Sequence, residues 1–145
     1  IRSSEIPELD LPAGAGSLRV IAGDYNGRVG AARTFTPMDV WDLRLHAGHS
    51  AQLDFAAGRT LVIVVLSGSA VLNGDVLNAS QLAIFAREDE RVVLEASSEA
   101  ALLVLSGEPI DEPVVGHGPF VMNTDAEIRQ AIADFRRGEF GRMQE

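Results

Sequence analysis

Between positions 18 and 105 the chain repeats one pattern: a short apolar run, then a turn. The runs are "LRVIA" (18–22), "VWDLRL" (40–45), "AQLDF" (51–55), "TLVIVVL" (60–66), "SAVL" (69–72), "DVL" (75–77), "QLAIF" (81–85), "RVVLE" (91–95) and "AALLVL" (100–105). Each has the length of a strand and is too short for an ordinary helix. Several alternate in polarity. Trp41, Leu43 and Leu45 share one face while Asp42 and Arg44 take the other, and Ala51, Leu53 and Phe55 oppose Gln52 and Asp54. Many short strands joined by Gly and Asn turns predict an all-β sandwich or small barrel. No helical period interrupts them, so the crossover helices that a parallel sheet needs are missing.

Within that series, "SAVLNGDVL" (69–77) gives the sharpest local signal. Asn73-Gly74 supplies the two positive φ angles of a type I′ turn and predicts a hairpin. The first 17 residues, "IRSSEIPELDLPAGAGS", carry two prolines, three serines and "AGAG", and predict a linker or extended arm. Residues 18–145 then form the folded domain. Its one helix is predicted over 124–137. Thr124 and Glu127 make a capping box, and Ile128, Ala131, Ile132 and Phe135 fall on one stripe. Gly138 is placed to end the helix in the left-handed conformation.

Composition excludes several functions. The net charge is −9 and all 12 basic residues are arginine, scattered except for Arg136–Arg137. Such a field repels nucleic-acid phosphates and anionic lipid alike, so neither is an expected partner. With no cysteine there are no disulfides, thiolate metal sites or cysteine nucleophiles, as suits a cytoplasmic protein. No apolar run approaches the roughly 20 residues that span a bilayer.

Three stretches carry a resemblance. "ARTFTPMDVWDLRL" (32–45), "LSGEPIDEPVVGHGPFVMNTDAEIRQAIADF" (105–135) and "GEFGR" (138–142) resemble the carboxy-terminal half of pirin-family proteins. "IAGDYNGRVGAARTFTP" is similar to the segment leading into that half, and the likeness runs from about position 6 onward. Pirins are bicupins, with two β-barrels in tandem. The resemblance therefore implies a cupin-type jelly roll with one C-terminal α-helix. It also implies a preceding barrel outside these residues, as does a chain that opens on Ile1 with a linker-like stretch. In the family the metal, iron or another divalent transition metal, is held in that first barrel by three histidines and a glutamate. Some members resemble quercetin-cleaving dioxygenases. Carried over by the glycines Gly58 and Gly68, the family's ligand positions fall on Asp54, Ala56 and Thr60.

No histidine lies between 50 and 116, so an imidazole-built centre inside this barrel is not expected. The sequence points to no catalytic residue and no metal or other cofactor in this chain. The alternative metal group is His46 and His49 in "LHAGHS" with Asp54. If Asp54 pointed inward it would need a partner such as Arg44 or Arg59; facing water is the simpler placement. His117 reads as a loop histidine. Arg33, Thr36 and Trp41 are candidates to line a cavity at the barrel mouth, with Phe35 packed in the core. Pro119, Phe120, Val121 and Met122, with the helix residues Ile128, Ile132 and Phe135, form a candidate interface. Its expected partners are the N-terminal cupin domain of a parent chain or, in isolation, a second copy. The expected function is a structural and interaction module; the alternatives are a small-molecule-binding cupin or part of a quercetin 2,3-dioxygenase-like enzyme.

Overall fold

The structure, a computed structural model, describes residues 1–141. It divides into two compact units, Ile1–Pro109 and a second beginning at Ile110. The first unit is all-β. Its strands are β1 (Glu8–Asp10), β2 (Gly16–Ala22), β3 (Asp24–Tyr25), β4 (Arg28–Val29), β5 (Met38–Leu45), β6 (Ser50–Asp54), β7 (Thr60–Ser67), β8 (Ser69–Leu72), β9 (Asp75–Asn78), β10 (Leu82–Ile84), β11 (Arg91–Ala96) and β12 (Ala100–Gly107). They make a six-stranded sheet in the order β1-β2-β5-β12-β7-β10 and a four-stranded sheet in the order β6-β11-β8-β9. β3 and β4 form a separate small hairpin. Neighbouring strands within these sheets are antiparallel throughout.

Alternation builds the core. On β5, Trp41, Leu43 and Leu45 turn inward, on β6 Ala51 and Leu53, on β7 Leu61, Ile63 and Val65, and on β11 Val92 and Leu94. These residues from both sheets join Leu18, Val20, Leu72, Leu102 and Val104 in one cluster. Fully burying a side chain of this size stabilises by about 1.5–3 kcal/mol, so the sandwich rests on this layer. The hairpin at 69–78 forms as expected: Leu72 pairs with Asp75, and Asn73 and Gly74 both take positive φ, 48° and 97°.

The segment expected as a linker is only in part free. Residues 8–10 pair with 17–19 at the edge of the large sheet, and Leu11 and Ala15 are buried in the core cluster. Proline and glycine weaken regular structure but do not prevent two apolar side chains from anchoring an arm. Glu8 and Asp10 on this short edge strand face outward and add charge to an edge that would otherwise invite pairing.

The second unit holds the hairpin β13 (Val115–His117) and β14 (Phe120–Met122), and the helix α1 (Asp125–Arg137). Thr124 caps the helix: its hydroxyl oxygen accepts from the Glu127 N–H at 3.2 Å. The Glu127 carboxylate accepts in turn from the Asn123 N–H and the Thr124 hydroxyl, at 3.2 and 2.9 Å. Gly138 closes the other end at φ 73°. The helix packs on its own hairpin, with Ile128 and Ala131 buried. No helix among the described residues is long and apolar enough to cross a membrane.

Candidate functional site

The interior of the sandwich is where a metal would sit, and its lining decides whether one fits. The largest fully buried side chains are all leucine, isoleucine or valine. Trp41 is the one polar-tipped residue in the core cluster. A divalent transition metal needs several converging imidazole, carboxylate or thiolate donors; among the described residues the one buried carboxylate is Asp39, and it is paired with Arg59. Among the described residues no group of three or more His, Cys, Asp or Glu is placed to hold a metal ion.

The three residues of the alternative metal group are scattered over the outside. His46 and His49 are exposed in the turn between β5 and β6, their rings 6.2 Å apart and steeply inclined. His46 Nδ1 lies 3.2 Å from a Glu99 carboxylate oxygen, and His49 Nδ1 lies 3.1 Å from the Ala47 carbonyl oxygen. Asp54 faces water on β6. Its partner is neither Arg44 nor Arg59 but Arg91, directly opposite on β11, whose Nε donates at 2.8 Å. That bond, with the one from the Gln52 amide, holds the Asp54 carboxyl below its ordinary range. Arg44 pairs instead with Asp42, and Arg59 with Asp39. His117 is exposed on β13, a strand position rather than the loop expected from its two flanking glycines.

The cavity candidates separate. Arg33 is exposed and lines a shallow groove with Met38, Asp39 and Arg59. There Asp39 bonds Arg59 and accepts weakly from the Asp24 N–H at 3.3 Å. Gly23, at φ 81°, lets the backbone pass directly against the Asp39 carboxylate, where a side chain would collide. Phe35 is fully exposed rather than in the core, and Thr36 is half-buried. The "ARTFTP" loop lies outside the strands, where alternation no longer dictates which side chains turn inward.

Trp41 lines a different space, a cleft of about 670 Å³ with Leu11, Pro12, Tyr25, Ser50, Gln52 and Asp54 among its walls. Tyr25 meets the indole edge-on with centroids 5.2 Å apart, and Phe55 stacks on it at 5.5 Å. The Trp41 Nε1 is buried without a hydrogen-bond partner among the described residues. Burial pushes the Tyr25 phenol above its ordinary pKa; a hydrogen bond with Asn26 opposes this and the Asp54 charge adds to it.

Of the interface candidates, Val121 and Phe135 are 66% and 61% exposed, and Pro119 is also exposed. Phe120, Met122 and Ile132 are half-buried, whereas Ile128 turns inward. Phe120, Phe135 and Phe140 form an edge-to-face triangle with centroids about 6 Å apart.

Sequence reasoning missed a second apolar surface. On the outer face of the six-stranded sheet, Val40, Leu105, Val62 and Ile84 stand in register across four strands. Leu103, Val64 and Leu82 form a parallel row beside them. Leu82 and Ile84 at the sheet edge are 55% and 73% exposed. The signal was present in "TLVIVVL" and "AALLVL", where both parities are apolar, as in strands covered on both faces.

A family model for the pirin C-terminal cupin domain matches residues 40–141. The chain belongs to the pirin C-terminal cupin family. It is 48% identical to a Pseudomonas aeruginosa protein provisionally named quercetin 2,3-dioxygenase, over 94% of this chain and 48% of that protein. Human pirin is 33% identical over 97% of this chain and 50% of its own length. The crystal structure of a quercetin 2,3-dioxygenase from Acinetobacter baumannii superposes with a TM-score of 0.89 at 44% identity, covering 99% of this chain and 50% of that one. The pirin-type domain thus spans about half the length of the relatives it matches.

Proposed function

We propose that this pirin C-terminal cupin is a structural and interaction domain without a metal of its own. Its partner is an N-terminal cupin of the same parent chain, which carries iron or another divalent transition metal. Any quercetin 2,3-dioxygenase-like activity of the parent then belongs to that companion barrel, and the parent works in the cytoplasm. The reading rests on one contrast: the interior is filled by aliphatic side chains, while large apolar groups stand outside. Leu82, Ile84, Val121 and Phe135 are each more than half exposed. Leu82 and Ile84 belong to the first unit and Val121 and Phe135 to the second. Covering either pair supplies a few kcal/mol at roughly 1.5–3 kcal/mol for each side chain, a drive for a domain interface.

Isolated, the chain is expected to dimerise or associate through these groups. Sedimentation velocity is expected to show concentration-dependent association, reduced by Val121→Asp with Phe135→Ser. A clean monomer that binds no hydrophobic dye would count against the interface. Metal analysis of protein purified without chelator tests the other half. A stoichiometric transition metal inside the barrel would overturn it.

A further inference from the structure

We propose that the cleft beside Trp41 is a binding site for a small organic cation carrying an aromatic ring. This goes beyond the interface reading and uses none of its residues, so either can fail alone. The cleft's volume, about 670 Å³, falls in the range of small-molecule sites. Its buried end is apolar and aromatic, built by Leu11 and Trp41 with Tyr25 above the indole. Its rim is polar, and Asp24 and Asp54 are the charged groups of the lining. Among the described residues neither arginine nor histidine is part of that lining, so it favours a cation over an anion.

The two carboxylates are not equivalent. Asp54 is neutralised by Arg91 and also receives the Gln52 amide. Among the described residues Asp24 accepts only a backbone bond, from the Gly27 N–H at 3.0 Å. Its second oxygen is the natural partner for an ammonium. Aromatic faces next to a carboxylate attract a cation twice, through the ring quadrupole and through charge. Trp41 adds a third feature. It is 3% exposed, yet among the described residues its indole N–H has no acceptor. A ligand hydroxyl that displaced the groups covering the indole N–H would supply that acceptor. A hydroxyaryl amine has all three complements: a flat ring, an inner oxygen and an outer ammonium.

The chain contains a single tryptophan, so indole fluorescence reports on this cleft alone. Tyramine is the probe, and 3-(4-hydroxyphenyl)propionate, with the same ring and opposite charge, is the control. Tyramine is expected to change Trp41 emission saturably and to bind at least tenfold more tightly than the acid. Asp24→Asn keeps an acceptor for Gly27 and is expected to weaken tyramine about tenfold while leaving the acid no weaker. Tyr25→Ala, in the exposed β3–β4 hairpin, is expected to remove saturable binding with the melting curve still cooperative. An unsaturable response, equal binding of amine and acid, or undiminished tyramine binding by Asp24→Asn overturns the proposal. The charge comparison needs no variant, so it stands even if a substitution unfolds the chain.

Discussion

The two units differ in how much of their apolar surface they enclose. Residues 1–109 place Leu, Ile and Val from two sheets into one sealed layer, most of it with no exposed surface. Among the described residues, the unit from Ile110 has a two-stranded hairpin and one helix, too few layers to enclose a comparable core. Two side chains of its helix, Ile128 and Ala131, are buried, while Val114, Val121, Phe135 and Phe140 remain more than half exposed. A sandwich can satisfy its strands internally, whereas a hairpin with one helix cannot. Stability therefore concentrates in the first unit, and exposed apolar surface dominates the second.

The contrast is broken most directly at Leu102. It is fully buried on β12, between β5 and β7. Leu102→Ala is expected to cost about 2–5 kcal/mol, the range for a large-to-small change in a packed core. Phe135→Ala, at an exposed aromatic triangle, is expected to cost less than about 1.5 kcal/mol. Urea unfolding monitored by circular dichroism separates them. Equal losses would mean that the second unit carries as much of the fold as the first.

A polar tie within the first unit gives the next largest effect. Asp39 lies on the inward-facing parity of β5, two residues before Trp41, and it is 8% exposed against Arg59. Asp39→Ala strands a guanidinium in a nearly closed site, which costs about 3–5 kcal/mol where burial is complete and somewhat less here. Adding Arg59→Met is expected to restore part of the loss, since both charges are then gone. A double variant no more stable than Asp39→Ala would show that the pair contributes only packing.

A smaller effect sharpens the picture of the second unit. Thr124→Ala removes the acceptor for the Glu127 N–H and is expected to cost about 1 kcal/mol. The loss should be local. Amide exchange is expected to accelerate over 125–128 and stay unchanged on β12. Faster exchange on both would mean that the two units unfold together.

How much of this was legible follows from the same physics. Strand positions were readable because alternation is a two-state signal: Trp41, Leu43 and Leu45 point inward because Asp42 and Arg44 cannot. The hairpin at Asn73-Gly74 and the helix from Thr124 were readable because turn and cap chemistry is local. What failed was non-local. Arg91 as partner of Asp54 depends on strand register across 37 residues, which neither segment encodes alone. The exposure of Phe35 depends on a loop path, and the anchoring of Leu11 on a core it meets only after folding. The outer row of Val40, Val62 and Leu105 was overlooked for another reason. A doubly apolar strand looks the same whether its second face meets another layer or stands at the surface.

The smallest effect concerns charge at the β5–β6 turn. The Ala47 N–H donates to Glu99 at 3.0 Å, and His46 Nδ1 adds a bond at 3.2 Å. Those bonds, the backbone one foremost, hold the Glu99 carboxyl below the ordinary glutamate range. A carboxylate with a depressed folded-state pKa contributes stability that is fully present above its unfolded pKa, about 4.3 for glutamate, and is lost as pH falls through the folded value. The stability difference between the native chain and Glu99→Gln should therefore shrink as the pH falls below about 4.3. Because the group is fully exposed, the difference should be small and weaken further in high salt. Chemical denaturation of both proteins across that pH range checks the sign. A gap that widened as the pH fell below about 4 would mean that Glu99 is held by something other than the Ala47 amide and His46.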